Sequence, residues 1–503
     1  MDVFQEYKPI RNKIRLLERD EALSVIWAYC QFLQTRDFKF PTQIEVEPKF
    51  FQLDLPQKWV SEWTLEFLTK EVLLNSGGVA KKENTLRQWK TFSTIINAIK
   101  ELENDIYGAL GGKNILIEML RIAHRQFIWQ SNIPNSGATV RYYKIFNRER
   151  ISEISADRIG LTIPEIYACY LACAGHFLGR YEIQLPLKSE IKNLPPEKFE
   201  MFFSFTSKRY AEILPILKSE QKYDVDFAYA YTSLRAHPLI RMKIAEREVL
   251  ACPLPTLLFW RITGGLYYEL MADARFANEF GDSIQAYVGE VLGKVCASSK
   301  VTYVGEKEYK IGKVQKRSID WIAADDTATL FIECKAKRLS WAAKVALHDQ
   351  SFLDSDIASM ADAIVQTYKA ISDCRAGRYE HFALKKDQKI YPMVVTLENW
   401  HMFGPIMIQK LDDAVSVRLE KEGLPKGMLD DMPYSIWAIE EFEEGIQIMT
   451  EVPIHEFMIG KLGNKEMRQW EWHPYMVSKF AKFPLHALFD DEYEKIGLEV
   501  VFP

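Results

Sequence analysis

The stretch SIDWIAADDTATLFIECKAKR, Ser318 to Arg338, decides how this chain is read. Two short apolar runs, SIDWIAA and ATLFIECKA, flank the acidic pair Asp325 and Asp326. That is the pattern of a β-hairpin closed by a polar turn. Side chains alternate along a strand, so Glu333 and Lys335 point to one face and Ile332 and Cys334 to the other. A carboxylate and an ammonium on one face of an apolar strand are costly unless they are paired or used. Asp320 closes the partner strand, and pairing across a short hairpin brings it beside Glu333. Asp325 and Asp326 are assigned to turn chemistry, because the hairpin tip points away from that face.

Working outward, the flanking segments alternate between helix and strand. FGDSIQAYVGEVLGKV sets Phe280, Ile284, Tyr287, Val288, Val291 and Val295 on one helical stripe. VTYVGE reads as a strand, DIASMADAIVQTYKAISD as an amphipathic helix and YPMVVTLEN as a buried strand. GPIMIQKLDDAVSVRLEKEG is a further helix, and YSIWAIE a short strand. The sum is an α/β domain over residues 251–503. The boundary near residue 250 is marked by the strand-like EREVLACPLPT and a new helix beyond it.

The first half reads as mostly helical. DEALSVIWAYCQFLQ and TLRQWKTFSTIINAIKELENDIYG repeat apolar residues at three- and four-residue spacing. Residues 1–145 form one helical region and 146–250 a second, accessory one. Within the latter, SEISADRIGLTIPEIYACYL, residues 152–171, has the spacing of a helix-turn-helix, with Thr162 as N-cap and Pro164 and Glu165 in the first turn. Its second helix carries Tyr167 and Tyr170 and almost no Arg or Lys, which favours a buried helical hairpin over a DNA-reading one. GALGGKN, residues 108–114, lacks the spacing and the Ser or Thr of a phosphate-binding loop, and reads as a turn between helices.

Composition sets the outer limits. The 503 residues are 48% hydrophobic and 26% charged, as in ordinary folded proteins, and allow two to four domains. A net charge of −5 argues against a globally basic, histone-like binder but permits a local basic groove. Seven loosely scattered cysteines complete no zinc motif and suit reduced, buried thiols. The N-terminus shows no secretory signal, and the longest apolar run, Ile166 to Gly179, is too short to span a bilayer. A soluble cytoplasmic protein without membrane contact is expected.

The chemistry of the hairpin suits phosphodiester hydrolysis. Two carboxylates, Asp320 and Glu333, can hold Mg²⁺, a hard ion that prefers oxygen donors and keeps several waters. The backbone carbonyl of Cys334 is a further candidate ligand. Lys335 can orient the attacking water and offset charge on the phosphate. An Asp at a strand end followed by Glu-x-Lys on the next strand resembles the PD-(D/E)xK, restriction-endonuclease-like nuclease superfamily. Here the residues are Ser318-Ile319-Asp320 and Glu333-Cys334-Lys335, with Ile319 where Pro often stands. The order helix, strand, hairpin, helix, strand also fits, and the resemblance covers residues 255–400.

That resemblance implies a mixed central β-sheet flanked by helices, Mg²⁺ as cofactor with Mn²⁺ able to substitute, and DNA as substrate, with duplex favoured and RNA left open. It also implies a helical Glu that joins the metal site in some branches, a place Glu290 can take. A solvated helix carboxylate is the alternative for Glu290. Gln366, which shares a polar face with Asp362 and Asp373, is assigned to solvent, and Tyr368 to the core. Lys337, Arg338, Lys344, Lys385 and Lys386, with Lys389, are candidate phosphate contacts or simply a solvated charge run.

The expected activity is therefore Mg²⁺-dependent cleavage of DNA by a bacterial restriction or anti-phage effector. A homodimer would cut both strands, and the N-terminal region would read substrate or a partner protein. Two rivals stay open: a silent nuclease fold that binds nucleic acid or serves as a scaffold, and a helix-turn-helix regulator.

Overall fold

A computed structural model describes residues 1–501 apart from 78–83, 110–114, 127–128, 130–134, 190, 192, 340–343, 345–350 and 386–387, with backbone alone at 115–118, 499 and 501. The chain divides into two compact units. One comprises Met1–Ile115, Arg125–Phe276 and Asp491–Pro503; the other comprises Leu116–His124 and Ala277–Asp490. Residues 1–145 and 146–250 thus lie almost wholly in one unit, and the main division falls at Phe276.

The first unit is chiefly helical, as its periodicity predicts, and packs around Tyr7, Leu23, Ile26, Leu68, Phe92 and Ile96. It also contains a four-stranded sheet, in the order Glu182–Gln184, Arg247–Ala251, Leu239–Ile244, Ser207–Arg209. Two of these strands have only three residues, too few for alternation to be seen in sequence, whereas Arg247–Ala251 falls in the strand-like EREVLACPLPT. The helices Glu149–Ile159 and Ile163–Phe177 meet at Gly160, whose φ of +81° is the left-handed turn conformation. Thr162 and Glu165 form a reciprocal capping box. Tyr167 and Tyr170 are buried, so the second helix is a core element of this unit. No helix among the described residues is long and apolar enough to cross a membrane. All seven cysteines are free thiols.

The second unit carries the site. Helix α1 (Phe276–Cys296) precedes strands β1 (Thr302–Gly305), β2 (Trp321–Ala324) and β3 (Ala328–Lys335). Helix α2 (Ser351–Arg375) leads to β4 (Lys389–Thr396), and α3 (Pro405–Lys421) precedes β5 (Ser435–Ala438). Helices α4 (Ile439–Met449), α5 (Ile454–Leu462) and α6 (Trp472–Phe480) follow. The sheet order is β5-β4-β3-β2-β1. The first three strands are antiparallel neighbours, whereas β4 pairs parallel to β3 and β5 parallel to β4. This is the mixed sheet of an α/β domain.

Both faces of the sheet are covered, which is why its central strands are nearly continuously apolar. Ile322, Phe331 and Val394 pack with Ile364 and Tyr368 of α2 and Leu411 of α3. Leu353, Ile357, Met360, Ile364 and Ile371 give α2 its apolar stripe at three- and four-residue spacing. On the other face, α1 lies against Trp321, whose Nε1 donates to the Gln285 carbonyl at 2.9 Å. Trp437 stacks on Trp472 with centroids 4.0 Å apart.

Two helical glycines make these approaches possible. A Cβ at Gly289 would stand 2.2 Å from the Trp321 ring, and one at Gly445 the same distance from the Trp437 ring. Alanine normally gains about 1 kcal/mol over glycine within a helix. Here the overlap wins: Gly289→Ala and Gly445→Ala are expected to cost about 1–3 kcal/mol each. Denaturant unfolding checks this, with Gly281→Ala, whose Cβ would meet nothing within 4 Å, as a control that is unchanged or stabilised.

Candidate active site

The register of the β2–β3 hairpin places the chemistry. Trp321 pairs with Ile332 across it, so one step further Asp320 stands opposite Glu333. Gly305 pairs with Trp321 on the other side, so Glu306 stands opposite Asp320. Three carboxylates from adjacent chain segments therefore lie in one row across the sheet. The turn that fixes this register is closed by Asp325, whose Oδ1 accepts from Thr327 N at 2.7 Å and Ala328 N at 2.8 Å. That is the turn role expected of it.

Asp320 Oδ2 accepts the Cys334 N–H at 2.7 Å, tying the strand end to β3. Glu333 is 3% exposed. Lys335 Nζ donates to Glu333 Oε1 at 2.6 Å and to Gln366 Oε1 of α2 at 3.1 Å. Burial pushes the Asp320 carboxyl up to about 7, reinforced by the charge of Glu333 and, more weakly, Glu306; the Cys334 N–H and Lys335 oppose it. Burial also raises Glu333, Lys335 opposes the rise, and Glu306 adds to it. One ammonium thus faces more negative charge than it can neutralise.

Asp320, Glu333 and Lys335 come together as the hairpin pattern predicts. Glu290 lies half-buried on α1, one residue beyond Gly289, on the helix that covers the Trp321 side of the sheet. Trp321 and Asp320 alternate, so the carboxylate row belongs to the opposite face. Sequence reasoning passed over Glu306, which ends the VTYVGE strand; only the cross-strand register marks it. Gln366 is exposed as expected, yet it holds Lys335. Asp373, read as a neighbour of Gln366 on a polar face, is instead buried, accepting from Tyr309 Oη at 2.5 Å and pairing with Arg378. Tyr368 is in the core, donating to the Met432 carbonyl at 2.7 Å.

Four of the candidate phosphate contacts are engaged elsewhere, while Lys389 is exposed with no ion pair among the described residues. Lys337 pairs with buried Asp356 at 3.1 Å, and Lys385 with Asp326 at the hairpin tip at 2.7 Å. Arg338 is buried against Glu398, which also pairs with Lys344 at 3.2 Å. Lys386 lies outside the described residues.

The donor set suits a hard divalent cation. Two adjacent under-neutralised carboxylates and a strand carbonyl at Cys334 offer oxygen only, the preference of Mg²⁺ or Mn²⁺. Among the described residues no group of three or more His, Cys, Asp or Glu is gathered as a metal cage. A site of this kind therefore fits an ion that retains much of its water. Comparison with protein-family models, with curated proteins and with solved structures finds no match to this chain.

The raised carboxyl has a measurable consequence. Between the ordinary value of 3.8 and about 7, folded Asp320 holds a proton that the unfolded chain has released. Metal-free stability contributed here is therefore lost as pH rises through that window. Asp320→Asn is expected to stabilise the chain at pH 8 in EDTA by about 1–3 kcal/mol, and to have no such effect near pH 4. Adding Mg²⁺ at pH 8 should raise the thermal midpoint of the parent and leave that of the variant in place.

Proposed function

We propose that the chain is a metal-dependent nuclease that hydrolyses DNA phosphodiester bonds through Asp320, Glu333 and Lys335. The observation that carries this reading is the convergence of these three side chains on one sheet face. Asp320 is tied to Cys334 N at 2.7 Å, and Lys335 to Glu333 at 2.6 Å. The strand directions support it too. A Glu-x-Lys strand lies between an antiparallel strand led by the Asp and a parallel strand reached through a helix, the order the PD-(D/E)xK resemblance calls for.

Asp320 and Glu333, with the Cys334 carbonyl, would hold Mg²⁺ or Mn²⁺, and Glu306, paired with Arg317, adds negative charge beside that pair. When bound, the ion supplies charge to polarise the phosphate and acidify a water. Lys335 has three N–H groups. Two are committed to Glu333 and Gln366, and the third is available to hold the attacking water or a phosphate oxygen. Gln366 fixes the ammonium against α2, so it positions rather than reacts. The water oxygen forms the new bond to phosphorus and gives up a proton to solvent, the bond to the departing sugar oxygen breaks, and that oxygen takes up a proton from solvent. Cutting both strands of a duplex would use two chains. A restriction or phage-defence role, with a partner read by the N-terminal unit, follows from the resemblance alone.

One observation favours a second reading, a non-cutting nucleic-acid-binding or scaffold protein: Lys335 and Glu333 already neutralise each other in part, as a structural ion pair does. Cleavage assays on plasmid, linear duplex, single-stranded DNA and RNA separate the two. Mg²⁺-dependent cutting that is stopped by EDTA is expected. Asp320→Ala and Lys335→Ala should each lower the rate by about a hundredfold or more, and Gln366→Ala by about tenfold. Absence of metal-dependent cutting on every substrate would sink the nuclease reading, and cutting that survives both alanine variants would place the activity elsewhere.

A further inference from the structure

Between β1 and β2 the chain makes an excursion, EKEYKIGKVQKRS, that the motif itself does not require. Glu308–Ile311 and Val314–Arg317 pair antiparallel as a separate two-stranded ribbon, turning at Gly312, whose φ is +60°. The ribbon and its root carry Lys307, Lys310, Lys313, Lys316 and Arg317 against Glu306 and Glu308. All five cations are exposed.

The two faces of the ribbon differ. Partners across an antiparallel pair share a face, so Tyr309, Lys316, Ile311 and Val314 lie on one side, and Glu308, Arg317, Lys310 and Gln315 on the other. The first side is anchored. Tyr309 is buried, donates to Asp373 on α2 at 2.5 Å and packs on the Tyr379 ring at 5.0 Å. Lys316 reaches the same Asp373 at 3.5 Å. The second side, with Lys310 and Arg317, and the tip, with Lys313, are unanchored and basic, whereas exposed Lys307 stands at the root on the Tyr309 side. Lys307, Lys310 and Lys313 have no ion pair among the described carboxylates, unlike Lys337, Arg338, Lys344 and Lys385.

The ribbon also leads straight into the candidate active site. Arg317 stands three residues before Asp320 and reaches Glu306 at 3.6 Å, the carboxylate that faces Asp320. A solvated charge run would not need a tyrosine anchor holding it rigid at that place.

We propose that this basic ribbon is the nucleic-acid contact of the protein, docking in a groove of duplex DNA with Lys307, Lys310 and Lys313 on backbone phosphates. It rests on the nuclease reading for its substrate but not for its test. A two-stranded ribbon matches the width of the major groove, and lysine supplies phosphate contacts without base specificity. The ribbon selects duplex over single strands by shape, and sets the bound backbone beside Asp320 and Glu333.

The test measures binding of a labelled duplex by fluorescence anisotropy in EDTA, on the full chain with Asp320→Ala, as salt is raised. The variant Lys307→Gln/Lys310→Gln/Lys313→Gln is compared with Lys369→Gln/Lys465→Gln, exposed lysines away from the ribbon. The triple variant should weaken binding at least tenfold and flatten the plot of log affinity against log salt by about 0.9 per lysine that contacts a phosphate. The double variant should match the parent, and all should share one thermal midpoint, since the altered side chains are exposed. An unchanged salt slope in the triple variant, a parent that fails to bind duplex, or equal preference for single-stranded DNA or RNA would overturn the proposal. Ribbon-dependent binding without cleavage by the Asp320-intact chain would leave the ribbon standing and remove the nuclease reading.

Discussion

The second unit depends on one register, Trp321 opposite Ile332 across the β2–β3 hairpin. A slip of one residue would turn Glu333 and Lys335 into the Ile332 layer and put Ile332 where the carboxylates meet. The register is held from several directions. Asp325 closes the turn, Trp321 is clamped under Gly289 with its indole on the Gln285 carbonyl, and Asp320 accepts the Cys334 N–H. Burial of Ile322, Phe331 and Ile332 then makes any alternative pairing expensive.

That rigidity is what a destabilised carboxylate cluster needs. Asp320, Glu333 and Glu306 repel one another in a region where burial has already raised the first two. Left to relax, such a cluster would separate and hydrate. Here each member grows from a different strand of a sheet packed on both faces, so the backbone cannot yield. The cost is local and is offset by the core beneath. Lys335 relieves part of it, and a divalent cation would relieve more.

The cations show the same division between structure and recognition. Arg338 and Lys344 share Glu398, and Lys337 is spent on buried Asp356. They hold the segment after β3 to its surroundings. Three described lysines without an acidic partner, Lys307, Lys310 and Lys313, sit on the ribbon and its root ahead of Asp320, where an anchored tyrosine side and a basic open side give it direction.

The sequence by itself determined helices α1 to α3 and strands β1 to β5 of the second unit, the hairpin and its turn, and the company of Asp320, Glu333 and Lys335. These follow from period-two and period-3.6 patterning, which is local and survives without knowledge of neighbours. Tyr167 and Tyr170 were likewise legible as core, because a recognition helix without cations has little to read DNA with. Tertiary structure alone decided the rest. It set the short-stranded sheet of the first unit, the grouping of residues 1–250, and the burial of Asp373. It also brought Gln366 to Lys335 and Glu306 to Asp320. Each of these is a contact between segments far apart in the chain, and which residue faces which across a sheet or from helix to strand is fixed by register and packing, not by any pattern within a single segment.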